Sequence, residues 1–372
     1  MLELLSLTNF KAFGRQDIPL APFTLLTGLN SSGKSSVLQS LALLRQSFDS
    51  GDLAPVGDRV AGLLLNEELV QLGTGQDVRH EWYDSDPDIT IALKSESGSA
   101  TWSAVYEQEA DHLVLTEGHL SDPRQQLPTL FGPGFQYLRA DRISPEVSYP
   151  RSHHAVATRG FLGAHGEHTV NFLRAHQDDL VQAESLRLPE EPSATLLAQA
   201  NAWMQRLCPG VTLLAEGIDG TDTVRLSYGF GSGVGASNRY RPTNVGFGLT
   251  YSLPIVVACL SAQPGSLILL ENPEAHLHPQ GQTWMAYLAC AAVAAGAQVI
   301  VETHSDHVLN GLRIGVKTKR IAAADTAVHF FRRNDRQVAE VVSPQMGEDG
   351  MLSDWPKGFF DEWENSLDQL LD

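Results

Sequence analysis

The sequence predicts an α/β fold, with a parallel-strand core at its two ends and a β-rich, then helical, insertion between them. Three observations predict it. An apolar strand at 23–27 runs into a small-residue turn at 28–33 and then into helical spacing at Val37, Leu38, Leu41, Leu44 and Phe48. Two more apolar strands, ending at Glu271 and Glu302, are separated by one helix-length stretch. Between these ends lie short alternating runs punctuated by Gly, Asp, Ser and Pro, the pattern of antiparallel hairpins.

In chain order, residues 1–7 and 18–20 read as short strands ahead of the strand, glycine loop and helix at 23–48. Hairpin strands follow at 89–93, 100–105 and 112–116. Helices are expected over 170–183 and 193–207, split at Pro189 and Pro192. A strand is expected at 224–228, then a mobile glycine-rich loop at 229–235. From Asn244 onward the pattern is helix, strand, helix, strand. The stretch 284–301 carries no charge, but Gly296 and Gln298 interrupt it, so a buried helix and strand are expected rather than a membrane span. The boundaries this implies are 1–50 and 244–340 for the two halves of the core, 51–243 for the insertion and 341–372 for a C-terminal tail helix. No fixed-period repeat or sustained heptad is present.

The 372 residues suit two or three domains, or one large α/β body with an insertion. At 42% hydrophobic and 19% charged, the chain has enough apolar residues for a sizeable core, which excludes global disorder. A net charge of −18 excludes a surface that is basic all over, so contact with DNA needs a local patch or a basic partner. Cys208, Cys259 and Cys290 form no CxxC pair, which excludes a disulfide framework and a zinc ribbon and fits a cytoplasmic protein. The first thirteen residues lack the basic flank and long apolar core of a signal peptide.

The strongest motif is Gly28-Leu-Asn30-Ser31-Ser32-Gly33-Lys34-Ser35, a complete phosphate loop after a strand and opening a helix. Small residues let backbone N–H groups converge on phosphate oxygens, and the helix N-terminus favours negative charge. Lys34 is expected at the β- and γ-phosphates, the Ser35 hydroxyl on Mg²⁺ and Ser36 near the α-phosphate. The second motif, Ser266-Leu-Ile-Leu-Leu-Glu271-Asn272-Pro273-Glu274-Ala-His276-Leu-His278-Pro279, delivers a carboxylate to the C-terminal edge of the sheet, where open α/β sheets bind ligands. Glu271 is expected to hold Mg²⁺ directly or through water. The third, Gln298-Val-Ile-Val-Glu302-Thr303-His304-Ser305, places a strand and a histidine beside the same site. The fourth, Asn244-Val-Gly246-Phe-Gly248, opens an apolar helix and on its own reads no further than a capped helix.

In this order the four segments resemble the ABC-type ATPases of the AAA/SMC group, within its RecF-like and OLD-like (overcoming lysogenization defect) branch. Leu7-Thr-Asn-Phe-Lys11-Ala-Phe13 before the loop and the Glu302-Thr-His-Ser-Asp306 switch region carry the resemblance too, and Tyr137-Leu-Arg-Ala-Asp-Arg142 more loosely. It implies a P-loop NTPase head with an antiparallel β subdomain and a helical insertion, binding ATP and Mg²⁺. It further implies that two heads close face to face around ATP, as a homodimer or higher assembly, with Asn244, Gly246 and Gly248 contacting the other subunit's nucleotide. Lys11 matches a basic residue near the nucleotide, and Gln71 a glutamine that positions Mg²⁺ or water.

Two departures qualify the expectation. The family carries Asp-Glu where this chain has Glu271-Asn272, and Asn272 cannot act as a base. Glu274, Glu302 and His304 are the candidates for water activation, and a slow ATPase is expected. Only about 65 residues follow His304, too few for the metal nuclease domain that OLD-like proteins often carry. The ending Trp355-Pro-Lys-Gly-Phe-Phe-Asp-Glu-Trp363 resembles a short C-terminal segment of a subgroup of these ATPases. Phe359, Trp363, Leu367 and Leu370 or Leu371 share a helical face that docks either on the protein's own core or on a partner.

The resemblance thus points to an ATP-dependent switch in antiphage defence or DNA repair that controls a separate effector, such as a nuclease. The alternatives are the ATPase subunit of a membrane transporter and a nuclease acting by itself. The first lacks an LSGGQ-like signature, the second an acidic cluster. Arginine and lysine groups at 139/142/151/159, 239/241 and 313/317/319/320 are candidates for DNA contact, with a solvated face as the alternative. The histidines have neither cysteine support nor a zincin pattern.

Overall fold

The computed structural model describes the chain except for residues 55–59, 83–87, 119–121, 232–236, 335–337, 357 and 372, and except for the side chains of 362–365 and 368. Its centre is a six-stranded sheet in the order Ala339–Val342, Thr326–Arg333, Phe23–Gly28, Gln298–Glu302, Leu267–Glu271, Phe135–Leu138. The five strands from Thr326–Arg333 to Phe135–Leu138 run parallel, and Ala339–Val342 joins antiparallel at one edge. Parallel strands covered on both faces read as continuous apolar runs, as the runs ending at Glu271 and Glu302 do.

Alternate residues of these strands feed two separate cores. Leu25, Ile268, Leu270, Val299 and Val301 face one, and Leu26, Leu267, Leu269 and Ile300 face the other. The first core is closed by the helices Phe247–Leu260, Pro279–Ala294 and Asp306–Lys317, with the shorter Thr169–His176 and Leu196–Leu207. The second contains the phosphate-loop helix Lys34–Asp49 and an antiparallel six-stranded sheet.

That antiparallel sheet runs Phe13–Pro19, Leu2–Phe10, Ile89–Ser95, Gly98–Ala104, His112–Glu117, Gly62–Leu64. The hairpin pattern at 89–116 is therefore realised, but the sheet also recruits the first two strands of the chain. A boundary at residue 50 cuts across it. Conversely, Phe135–Leu138, inside the expected insertion, belongs to the parallel sheet. Gln298 ties the two sheets together: its Oε1 accepts from Leu2 N at 2.8 Å and its Nε2 donates to Leu2 O at 2.8 Å.

The helix expected over 170–183 stops at His176. Residues beyond it pair with the chain ahead of the next helix instead: Val181 N donates to Ala194 O and Leu196 N to Asp179 O, at 2.9 and 2.8 Å. The uncharged 284–301 stretch is the end of Pro279–Ala294 followed by Gln298–Glu302. Among the described residues no helix is long and apolar enough to cross a membrane. Most of the glycine-rich 229–235 stretch lies outside the described residues, and Gly229 itself ends up inside the strand Thr223–Phe230.

In the C-terminal tail, Phe359 precedes the helix Glu362–Leu371 rather than lying on it. It is fully buried, edge-on to Phe330 at 5.2 Å between ring centroids. Leu370 and Leu371 are exposed, and the side chain of Trp363 lies outside the described residues.

Candidate nucleotide-binding site

The strands Phe23–Gly28 and Gln298–Glu302 and the helix Lys34–Asp49 meet in a cleft of about 520 Å³. Lys11, Asn30, Ser31, Ser32, Gly33, Lys34, Ser35, Ser36, Glu302 and His304 line it, ten of the residues singled out in the sequence. A larger cavity, about 640 Å³, lies elsewhere and includes His176, Asp179 and Gln263 but no phosphate-loop residue. The smaller cleft is the one with phosphate chemistry.

Two glycines make the loop. Gly33 has φ +108 and caps the helix; a Cβ there would fall 2.6 Å from Phe13 Cζ. Gly28 has φ +129, and its Cβ would meet Phe331 O at 2.0 Å. Neither position admits a side chain. The N–H groups of Asn30, Ser31, Ser32 and Gly33 have no acceptor among the described residues, as an anion-binding loop requires. Lys34 Nζ, almost wholly buried, donates to Leu29 O at 2.7 Å and Gly28 O at 3.1 Å. Burial lowers its pKa, and the charges of Glu302 and Glu274 oppose the shift. Lys11 lies on the cleft wall and donates to Gln39 Oε1 at 2.8 Å. Burial lowers its pKa too.

The two strand-end carboxylates differ. Glu302 Oε1 accepts from Ser35 Oγ at 2.9 Å, while its Oε2 is buried without a partner. Burial, then the charge of Glu271, pushes its pKa up to about 7. Glu271 is not among the residues lining the cleft. Its Oε1 accepts from Tyr137 Oη at 2.5 Å and its Oε2 from Ala140 N at 2.9 Å. Tyr137 is held well above the usual phenol range by burial and then by Glu271. The sequence expectation is that Glu271 holds Mg²⁺ directly or through water; the carboxylate beside the Ser35 hydroxyl is that of Glu302. Glu302 takes that position, because its strand, not the Glu271 strand, hydrogen-bonds to the phosphate-loop strand.

Glu274 joins the group from the turn after Glu271. Its Oε1 accepts from His304 N at 2.9 Å and Asn272 Nδ2 at 3.4 Å, and its Oε2 is buried without a partner. Burial, then the charge of Lys34, lowers the pKa of His304, favouring neutral imidazole. The orphaned oxygen of Glu302, with the Ser35 hydroxyl it faces, is the hard-donor chemistry that Mg²⁺ takes alongside phosphates and water; Glu274 is not among the residues lining the cleft. No cluster of three or more His, Cys, Asp or Glu among the described residues holds a metal by itself.

Asn244, Gly246 and Gly248 do not line this cleft. Asn244 and Gly246 are exposed at the start of Phe247–Leu260, and a Cβ on Gly248 would meet His276 O at 2.4 Å. Gln71 is exposed in a bridge to Asn66 and does not line the cleft either.

Sequence reasoning missed several residues. Arg142, grouped there with surface cations, is buried and donates to the carbonyls of Glu271, Asn272, Arg139 and Tyr251 at 2.5–3.1 Å. Burial lowers its pKa to about 10. Asp77, Arg79, Glu81 and Arg333 also line the cleft. Arg333 had a signal: it ends an apolar strand at the same sheet edge as Glu271 and Glu302. Other cations are also used internally. Arg159 pairs with Glu68 and Asp49, and Arg313 donates to Gly350 O.

A family described as "AAA domain, putative AbiEii toxin, Type IV TA system" matches residues 165–310, and one described as "Protein of unknown function (DUF3696)" matches 321–370. Among solved structures, an Smc head bound to the C-winged helix domain of ScpA is similar at 16% identity and a TM-score of 0.56, over 94% of this chain and 99% of that one. An Smc head domain with an extended coiled coil, bound to the C-terminal domain of ScpA derived from Pyrococcus furiosus, is similar at 13% identity and a TM-score of 0.54, over 100% and 99%. The chain has the fold of an AAA/SMC-type ATPase head. Comparison with curated proteins returns no significant relative. The AAA match begins after the phosphate loop, so the loop stands on its own motif and geometry. The C-terminal match includes both Thr326–Arg333 and Ala339–Val342, so that segment builds part of the ATPase sheet.

Proposed function

We propose that the chain is an ATP-binding, slowly hydrolysing switch of the OLD-like branch. Two copies close around ATP and control a separate effector, such as a nuclease, in antiphage defence or DNA repair. The observation that carries the ATP reading is the phosphate loop whose Ser35 faces a buried carboxylate with a free oxygen.

Each residue then has a task. The free N–H groups of the loop and Lys34 bind the phosphates. Ser35 and Glu302 would hold Mg²⁺. Bound Mg²⁺ supplies positive charge to the β- and γ-phosphate oxygens. Glu274 takes the proton of the attacking water as the water oxygen bonds to the γ-phosphorus and the bond to the bridging oxygen of ADP breaks. His304, whose backbone N–H holds Glu274, senses the γ-phosphate. The Asn244–Gly248 segment, outside the cleft of its own chain, serves the partner's nucleotide. The effector role rests on the OLD-like resemblance. If DNA is part of that role, the exposed members of the basic groups, Arg151, Arg239, Arg241, Lys317, Lys319 and Arg320, are the cations placed to meet it.

Size-exclusion chromatography with and without MgATP tests this. Wild type and Glu274→Gln are expected to assemble with ATP, and Lys34→Ala is not. Assembly that ignores ATP, or that survives Lys34→Ala, would refute the switch.

A further inference from the structure

We propose that Arg333 is a positioning residue of the nucleotide site, and that the C-terminal segment 321–370 is thereby a working part of that site. This rests on the ATP reading above and extends it to a segment whose matching family has no described role.

Arg333 ends Thr326–Arg333, the strand paired with the phosphate-loop strand on the side away from Glu302. Its Nε and Nη2 both donate to one acceptor, Ser31 O, at 3.1 and 2.9 Å. Two N–H groups of one rigid plane fix the direction of that carbonyl. They fix it where the loop needs support, because Ser31 has φ +58, a region disfavoured for a residue with a Cβ. The same strand end holds the loop twice more. Leu29 N donates to Phe331 O at 3.0 Å, and Phe331 O occupies the space beside Gly28. Among the described residues no carboxylate pairs with Arg333, whereas its neighbour Arg332 is paired with Glu340 at 2.9 Å. Arg333 also lines the cleft with Lys34, Ser35 and His304.

The other end of the connection is the C-terminal segment. Phe330, three residues before Arg333, packs edge-on against buried Phe359, and Phe359 packs edge-on against Trp355 at 4.6 Å. A second element reaches the same place. The helix Asp306–Lys317 begins two residues after His304, and its Arg313 donates to Gly350 O at 2.9 Å and lies 5.6 Å over Trp355. Gly350, Trp355 and Phe359 therefore bridge two elements that each have one end at the nucleotide cleft. A shift in the loop, transmitted through Arg333, reaches this bridge.

The test uses the full chain and a non-hydrolysable ATP analogue with Mg²⁺. Hydrogen exchange on wild type is expected to show protection of peptides covering 28–36 and a change in peptides containing Trp355 and Phe359. Arg333→Ala is expected to weaken analogue binding about tenfold by calorimetry, a loss of ~1.4 kcal/mol. It is also expected to abolish the C-terminal change at saturating analogue and to leave the nucleotide-free melting temperature unchanged. Arg333→Lys is expected to recover part of the affinity. Should Arg333→Ala fail to fold, Arg333→Gln replaces it under the same criteria. Wild-type affinity, or an intact C-terminal response, in the variant would overturn the inference while leaving ATP binding standing. No protection of 28–36 in wild type would instead overturn the ATP reading, and this inference with it.

Discussion

The strands Leu267–Glu271 and Gln298–Glu302 look interchangeable as sequence. Each is four buried residues followed by a glutamate at the same sheet edge, and the two glutamates pair directly in register. Their surroundings separate them. Glu302 lies on the strand beside the phosphate loop, about 5 Å away across one ladder, and Glu271 lies about 10 Å away across two. Glu302 consequently meets Ser35 and keeps one oxygen unpaired. Glu271 has both oxygens occupied by Tyr137 and Ala140. One carboxylate is left available for a ligand, and the other is spent on holding the strand Phe135–Leu138 and the turn after it. The difference teaches that a motif's carboxylate is given its task by its neighbours in the sheet.

Exchanging each carboxylate for its amide is the most direct way to break the comparison. Glu302→Gln is expected to lower saturated ATP turnover ~10²–10³-fold, the scale of losing a metal carboxylate, read by phosphate release. Glu271→Gln is expected to cost less than about tenfold in turnover and to lower the melting temperature instead, because an amide cannot accept from both donors. The reverse ranking would return the metal to Glu271.

Arg142→Ala sharpens the structural side. It removes the donor to four carbonyls around Glu271 and Asn272 and is expected to destabilise the fold by about 3–5 kcal/mol in urea denaturation. A loss below about 1 kcal/mol would mean that this turn does not depend on Arg142.

Acidity gives a third handle on Glu302. The Glu302 carboxyl rises from 4.5 to about 7 on folding, so the folded state binds its proton more tightly. The resulting stabilisation is full below pH 4.5 and is lost as pH rises through 7. Glu302→Gln, neutral at every pH, should therefore match wild type near pH 4.5 and exceed it by up to about 3 kcal/mol at pH 8 without nucleotide. Equal stability at both pH values would show that Glu302 is not buried as a charge.

The smallest effect expected is that of Tyr137→Phe. It frees one oxygen of Glu271 at a cost of about 1–2 kcal/mol, with turnover little changed. A large loss of turnover would place Tyr137 and Glu271 in the chemistry.

The sequence by itself determined the phosphate loop, since the need for glycine at Gly28 and Gly33 and for Lys34 and Ser35 is local to eight residues. It determined the parallel strands, whose apolar runs record burial on both faces, and the hairpins, whose alternation records burial on one. It also brought Lys11, Glu302 and His304 forward as candidates. Only the tertiary structure decided which glutamate meets Ser35, because strand order is set by crossovers that no local pattern encodes. It alone turned Arg142 from a surface cation into a buried clasp. It alone showed that residues 2–19 complete a sheet begun by the insertion and that a C-terminal strand brings Arg333 to Ser31. Each of these depends on partners more than eighty residues away, or on which of two similar strands lies nearer, and a periodicity read along the chain carries neither.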